Sequence, residues 1–211
     1  MQKSMYDVKV KSWDGREDFM GQYTGKVSLL FDCTGACGND PQFPIIEEIY
    51  QKYKDKGFAA IAIPVGEYSC QGVAYGKFAD GLECGEDARE FAIDTYGVTY
   101  DFSEKVFSNP SSENPEAKYT HLQLPEGEEP HEIFQLTMNA IDEMGGPGAY
   151  MFGNFEKYLI DKNGQVRKYY HNGALLDYCH DHHADLEIKC CGTAEEEYAR
   201  ICADIESLLA E

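Results

Sequence analysis

Apolar positions follow two rhythms along the chain. Lys26 to Phe31 and Phe58 to Ile63 are near-continuous apolar runs, the pattern of strands buried on both faces. Between them, Ile45, Ile46, Ile49, Tyr50 and Tyr53 recur at helical spacing, which predicts an amphipathic helix over Pro44–Lys56 that Gly57 ends. Strand, helix and strand of this length form a βαβ unit with a right-handed crossover. Upstream, Met5 to Lys11 alternates weakly before the turn signal Asp14-Gly15, predicting an edge hairpin. Downstream, Glu86–Tyr96 reads as a short helix stopped by Gly97, and a strand falls within Val98–Val106. His131–Met144 reads as a helix, broken by the following Gly145-Gly146-Pro147-Gly148. Phe155–Tyr170 holds two strands around Lys162-Asn163-Gly164, whose Asn-Gly is a hairpin turn signal. Thr193 with Glu196 three residues on is a capping box that opens a last helix running to about Leu209.

Two stretches fit neither rhythm. Asn109–Pro130 is acidic and proline-rich, and reads as a long surface insertion. Tyr178–Gly192 is dense in His and Cys and reads as a second insertion. No internal repeat and no linker divides residues 1–211, so one domain is expected. The order of elements fits an α/β, thioredoxin-like fold: a central mixed β-sheet flanked by helices, with two surface insertions. In that fold a reactive thiol follows the first central strand.

Charge narrows the partners. The 211 residues carry 18 Lys plus Arg against 38 Asp plus Glu, a net charge of −20. Such a surface repels phosphate backbones, which argues against a nucleic acid partner, and it disfavours anionic membrane surfaces. No apolar run reaches membrane-spanning length, and the N-terminus has no apolar signal core. A soluble, cytoplasmic protein is expected. On that expectation the 8 cysteines are reduced thiols rather than a disulfide framework.

The chemistry concentrates in FDCTGACGNDPQF, residues Phe31 to Phe43. Cys33 and Cys37 lie between the end of a strand and the start of a helix. Free backbone N–H groups and the positive end of a helix dipole favour a thiolate there. The alternative is two small hydrophobes packed under a turn.

At these residues the sequence resembles the glutathione peroxidase family. Cys37-Gly38-Asn39-Asp40-Pro41-Gln42-Phe43 is similar to the family's peroxidatic Cys-Gly followed by a Pro-Gln-aromatic step into a helix. Tyr53-Lys54-Asp55-Lys56-Gly57-Phe58, Tyr96-Gly97-Val98-Thr99-Tyr100 and Gly153-Asn154-Phe155-Glu156-Lys157-Tyr158-Leu159-Ile160 match further family segments. The resemblance implies a thiol-dependent peroxidase that reduces hydroperoxides and needs no organic cofactor. It puts the nucleophile on Cys37, with Gly38 offering a backbone N–H and Asn154 a side-chain donor to the sulfur. The family's donor Gln becomes Glu67 and its Trp becomes Gly153. An ionised Glu67 would oppose the thiolate, whereas a protonated one can donate or act as a proton source.

A sulfenic acid on Cys37 needs a second thiol to resolve it. Cys84, in a loop before the Glu86–Tyr96 helix, ranks first, and Cys33 second. The acidic surface disfavours anionic glutathione, so thioredoxin is preferred over another low-molecular-weight thiol as reductant. Cys179, His180, His182 and His183, with Cys190 and Cys191 downstream, are metal-ligand types, but no standard finger spacing is present and a polar loop is the favoured reading. A competing function is a copper chaperone using Cys33, Cys37 and a distant histidine such as His121, His131 or His171. A third is a thiol–disulfide oxidoreductase using the Cys33/Cys37 pair.

Overall fold

The structure, a computed structural model, describes residues 3–35, 37–65, 88–108, 130–143, 154–177 and 192–211. The first strand, β1 (Val27–Cys33), leads through helix α1 (Gln42–Tyr53) to β2 (Phe58–Pro64). Helix α2 (Ala88–Tyr96), a short β3 (Asp101–Phe102) and helix α3 (Glu132–Glu143) follow. The hairpin β4 (Lys157–Ile160) and β5 (Val166–Tyr170) precedes helix α4 (Ala194–Ala210). The sheet order is β3-β2-β1-β4-β5. β1 runs parallel to β2 and antiparallel to β4, so the sheet is mixed, as the order of elements predicts.

All seven residues of β1 and of β2 are buried, which explains their near-continuous apolar runs. Alternation within each strand feeds two separate cores. Val27, Leu29, Phe31 and Cys33 face one core with Phe43, Ile46, Ile49 and Tyr53 of α1 and Ile201, Ile205 and Leu208 of α4. Leu30, Ile61 and Ile63 face the other, closed by Ile133 and Phe134 of α3 and by the N-terminal segment. Gly57 ends the first helical run at φ +89, a left-handed conformation that a side chain resists.

The predicted edge hairpin does not form. Met5–Asp7 is a 3₁₀ turn, with Ser4 Oγ accepting from the Tyr6 N–H at 3.2 Å. Met5, Tyr6, Val8 and Val10 are all buried under the second sheet face. Their weak alternation therefore reflects a segment that covers a sheet rather than one that joins it. Its end touches the sheet through one antiparallel bridge among the described residues, Ser12 with Ser103, made by the Trp13 N–H to Phe102 O and the Glu104 N–H to Lys11 O. The two predicted insertions lie, but for Pro130 and Gly192, outside the described residues.

Thr193 and Glu196 form the predicted capping box. Thr193→Ala should cost about 1 kcal/mol of stability. Phe31→Ala, which empties a site against Phe43, Tyr100 and Phe155, should cost about 3–5 kcal/mol. Urea unfolding of the two variants checks this ranking.

Candidate active site

The end of β1 turns sharply into α1, and the turn is built around Cys37. The Asp40 N–H donates to Cys37 O (3.2 Å), the Gln42 N–H to Asn39 O (3.1 Å) and the Phe43 N–H to Asp40 O (3.0 Å). Gln42 is buried and its Nε2 donates to Asn172 O at 2.6 Å, pinning the start of α1 to the segment after β5. Cys37 is half-buried at the head of this turn.

Three groups favour charge on its sulfur. The Asn39 N–H donates to Sγ at 3.3 Å and Asn154 Nδ2 donates at 3.2 Å. The Thr34 hydroxyl is the third. Two influences act the other way. Burial, the largest, pushes the Cys37 thiol up, and the Asp40 carboxylate adds to it. The net result is a thiol above its ordinary value. Asp40 is held beside the sulfur because its Oδ2 accepts from the Cys37 N–H (3.2 Å) and its Oδ1 from the Tyr96 hydroxyl of α2 (2.9 Å).

Asn154 comes from the segment that leads into β4, the neighbour of β1 in the sheet, and its amide has a defined orientation. Oδ1 accepts from Asn39 Nδ2 at 2.7 Å, which turns Nδ2 toward Cys37 Sγ and toward Thr34 Oγ1, 2.7 Å away. Its backbone is fixed by Asp32 of β1. The Phe155 N–H donates to Asp32 O (2.8 Å) and the Glu156 N–H to Asp32 Oδ1 (2.7 Å). Phe155 sits at φ +65, a conformation disfavoured for any side chain. Its ring, stacked on Phe31 at 5.9 Å and edge-on to Phe43 at 4.8 Å, holds it there. Buried Lys157 secures the same loop, donating from Nζ to Phe155 O (2.7 Å), His171 O (3.2 Å) and Asn172 O (3.1 Å).

The residues expected from sequence separate clearly. Cys37 and Asn154 are brought together. Beside Gly38, the N–H of Asn39 reaches the sulfur, because a side chain folding forward meets the N–H two residues on. Cys33 ends β1, fully buried in the first core, and burial drives its thiol well above the ordinary value. Glu67, Cys84, His121, Gly153, Cys179, His180, His182, His183, Cys190 and Cys191 lie outside the described residues, whereas His171 is buried just after β5. His131 packs on the second face of the sheet, its ring near Lys9 O, and burial lowers its pKa. Among the described residues no three His, Cys, Asp or Glu side chains gather into a metal site. Sequence reasoning missed Thr34, Asp40 and Tyr96. Thr34 and Asp40 stand within the cysteine-bearing stretch, but only the turn geometry aims them at the sulfur.

Replacing Asp40 with Asn removes a negative charge beside the sulfur and leaves the turn an acceptor. The thiolate of Asp40→Asn should form at lower pH than that of the parent. The pH dependence of Cys37 alkylation, followed peptide by peptide by mass spectrometry, checks this.

Comparison with known proteins gives the family of the chain. The family model described as glutathione peroxidase matches residues 5–123. The glutathione peroxidase-like peroxiredoxin 2 of Saccharomyces cerevisiae is 31% identical over 166 residues, covering 79% of this chain and 86% of that one. The glutathione peroxidase of Lactococcus lactis is 27% identical, over 77% of this chain and 86% of that one. Among solved structures, T. cruzi GPX1 superposes with a TM-score of 0.58 over 99% of this chain and 97% of that one, at 19% identity. A putative protein disulfide isomerase from Bacteroides thetaiotaomicron gives 0.53 at 19% identity, over 100% of this chain and 89% of that one, a likeness of fold. A match over more than half of the sequence, with relatives of similar length, establishes that the chain belongs to the glutathione peroxidase family.

Proposed function

We propose that this chain is a thiol-dependent peroxidase whose nucleophile is Cys37. The observation that carries the assignment is the convergence of Asn39 N–H and Asn154 Nδ2 on Sγ of a half-buried cysteine. Both donors come from rigid surroundings, so they are in place before a substrate arrives. The thiolate attacks one oxygen of a hydroperoxide and the O–O bond breaks. The other oxygen leaves as an alcohol or water after taking up a proton. Cys37 becomes a sulfenic acid, oxidised by two electrons. Glu67 in its protonated form is the proposed source of that proton.

A second thiol then condenses with the sulfenic acid, releasing water and forming a disulfide that an external dithiol reduces. Cys84 is the proposed resolving residue. The burial of Cys33 disfavours the thiolate it would need and supports ranking it second. Thioredoxin is the proposed reductant, since a net charge of −20 repels glutathione. Among the described residues Cys33, Cys37 and Cys202 are free thiols, which supports a reducing compartment such as the cytoplasm. Among the described residues no helix is long and apolar enough to cross a membrane. We propose one catalytic domain over residues 1–211. Copper binding by Cys33, Cys37 and a histidine has less support: His131 lies on the opposite face of the sheet from Cys33.

Hydrogen peroxide should oxidise Cys37 far faster than free cysteine, and Cys37→Ser should abolish turnover. Because the thiolate is the reactive form and the thiol stands above its ordinary value, the rate should climb from pH 7 toward alkaline pH. Stopped-flow oxidation across pH tests this, and a flat profile or a rate equal to free cysteine refutes the assignment. Turnover with glutathione should rise with added salt as charge repulsion is screened. A steady-state assay with each reductant over a range of ionic strength measures this.

A further inference from the structure

Thr34 follows β1 directly, three residues before Cys37, and is 3% exposed. We propose that the Thr34 hydroxyl is a catalytic hydrogen-bond donor to the Cys37 sulfur, a role that rests on the peroxidase reading of Cys37. A hydroxyl has one hydrogen to give and two lone pairs to receive. One lone pair is engaged by Asn154 Nδ2 at 2.7 Å. That same nitrogen lies 3.2 Å from Cys37 Sγ, so Thr34 Oγ1, Asn154 Nδ2 and the sulfur form one cluster.

The hydroxyl hydrogen then has two acceptors to choose between. One is Gly35 O, 3.4 Å away, a long and weak contact. The other is the sulfur. A charged acceptor wins over a distant neutral carbonyl. The hydroxyl therefore turns to Gly35 when Cys37 is a thiol and to Sγ when it is a thiolate. Among the influences on Cys37, burial is the largest and opposes charge; Thr34 is the largest that favours it.

The arrangement suits a sequence in which the family's donor Trp is replaced by Gly153, a residue with no side chain to donate. Thr34 directly follows β1, a strand fixed by its pairing with β2 and β4.

The test compares the parent chain, Thr34→Val and Thr34→Ser. Valine keeps the shape and removes the hydroxyl, while serine keeps the hydroxyl. Two readouts are taken on each: the pH midpoint of Cys37 alkylation by iodoacetamide, and the rate of Cys37 oxidation by hydrogen peroxide. T34V should move the midpoint to higher pH and slow oxidation at neutral pH about tenfold, the scale of one lost hydrogen bond to a charged group. Well above the midpoint its rate should approach that of the parent, which a merely damaged site would not do. T34S should restore both values. An unchanged midpoint in T34V, or a T34S that behaves as T34V, overturns the assignment. A parent Cys37 no more reactive than free cysteine overturns the peroxidase reading and with it the catalytic role. A midpoint shift of T34V in those same samples would still establish the donor contact.

Discussion

The site depends on one clamp at the end of β1. Asp32 O accepts from the Phe155 N–H, and Asp32 Oδ1 accepts from the Glu156 N–H. Both bonds are short, and both partners are buried. They tie the strand that leads into the cysteine turn to the segment that leads into β4. They help to fix Asn154, because Phe155 occupies a backbone conformation that only its surroundings enforce. The orientation of the Asn154 amide, the support of the thiolate and the packing of Phe155 between Phe31 and Phe43 all follow from that clamp.

The environment of Cys37 is a balance rather than a simple activation. Burial makes charge on sulfur costly, and it also removes competing water from the donors. Asp40 adds to the cost yet accepts the Cys37 N–H and the Tyr96 hydroxyl, so it is part of the turn that aims the cysteine. The residue that opposes the thiolate is therefore one that shapes its setting. The donors together oppose both the structural carboxylate and the larger cost of burial, and the thiol stays above its ordinary value.

Much of the fold was legible because it rests on periodicity. The apolar runs of β1 and β2 and the helical spacing of α1 report burial directly, and Gly57 and Thr193 carry their own conformational signals. The N-terminal segment misled because packing on a sheet and pairing within one produce similar weak alternation over a few residues. In the site, Cys37 and Asn154 stood out through ordered motifs. Thr34, Asp40 and Tyr96 did not, since a threonine or an aspartate is unremarkable until the turn after β1 brings it to the sulfur, and Tyr96 acts from α2 through Asp40. The contact from the Asn39 N–H likewise depends on how the cysteine side chain folds over its own turn.

The two halves of the site are 115 positions apart, joined by the Asn39–Asn154 hydrogen bond. They meet because β1 and β4 are neighbours in the sheet, not because the intervening chain measures out a distance. The entropy of closing such a long excursion changes slowly, by about 0.6 kcal/mol for each doubling of length. Evolution can therefore lengthen, shorten or rewrite the stretch between β3 and α3 with little thermodynamic penalty at the sulfur. A lineage carrying this architecture is free to experiment with new surface segments while inheriting the same reactive centre.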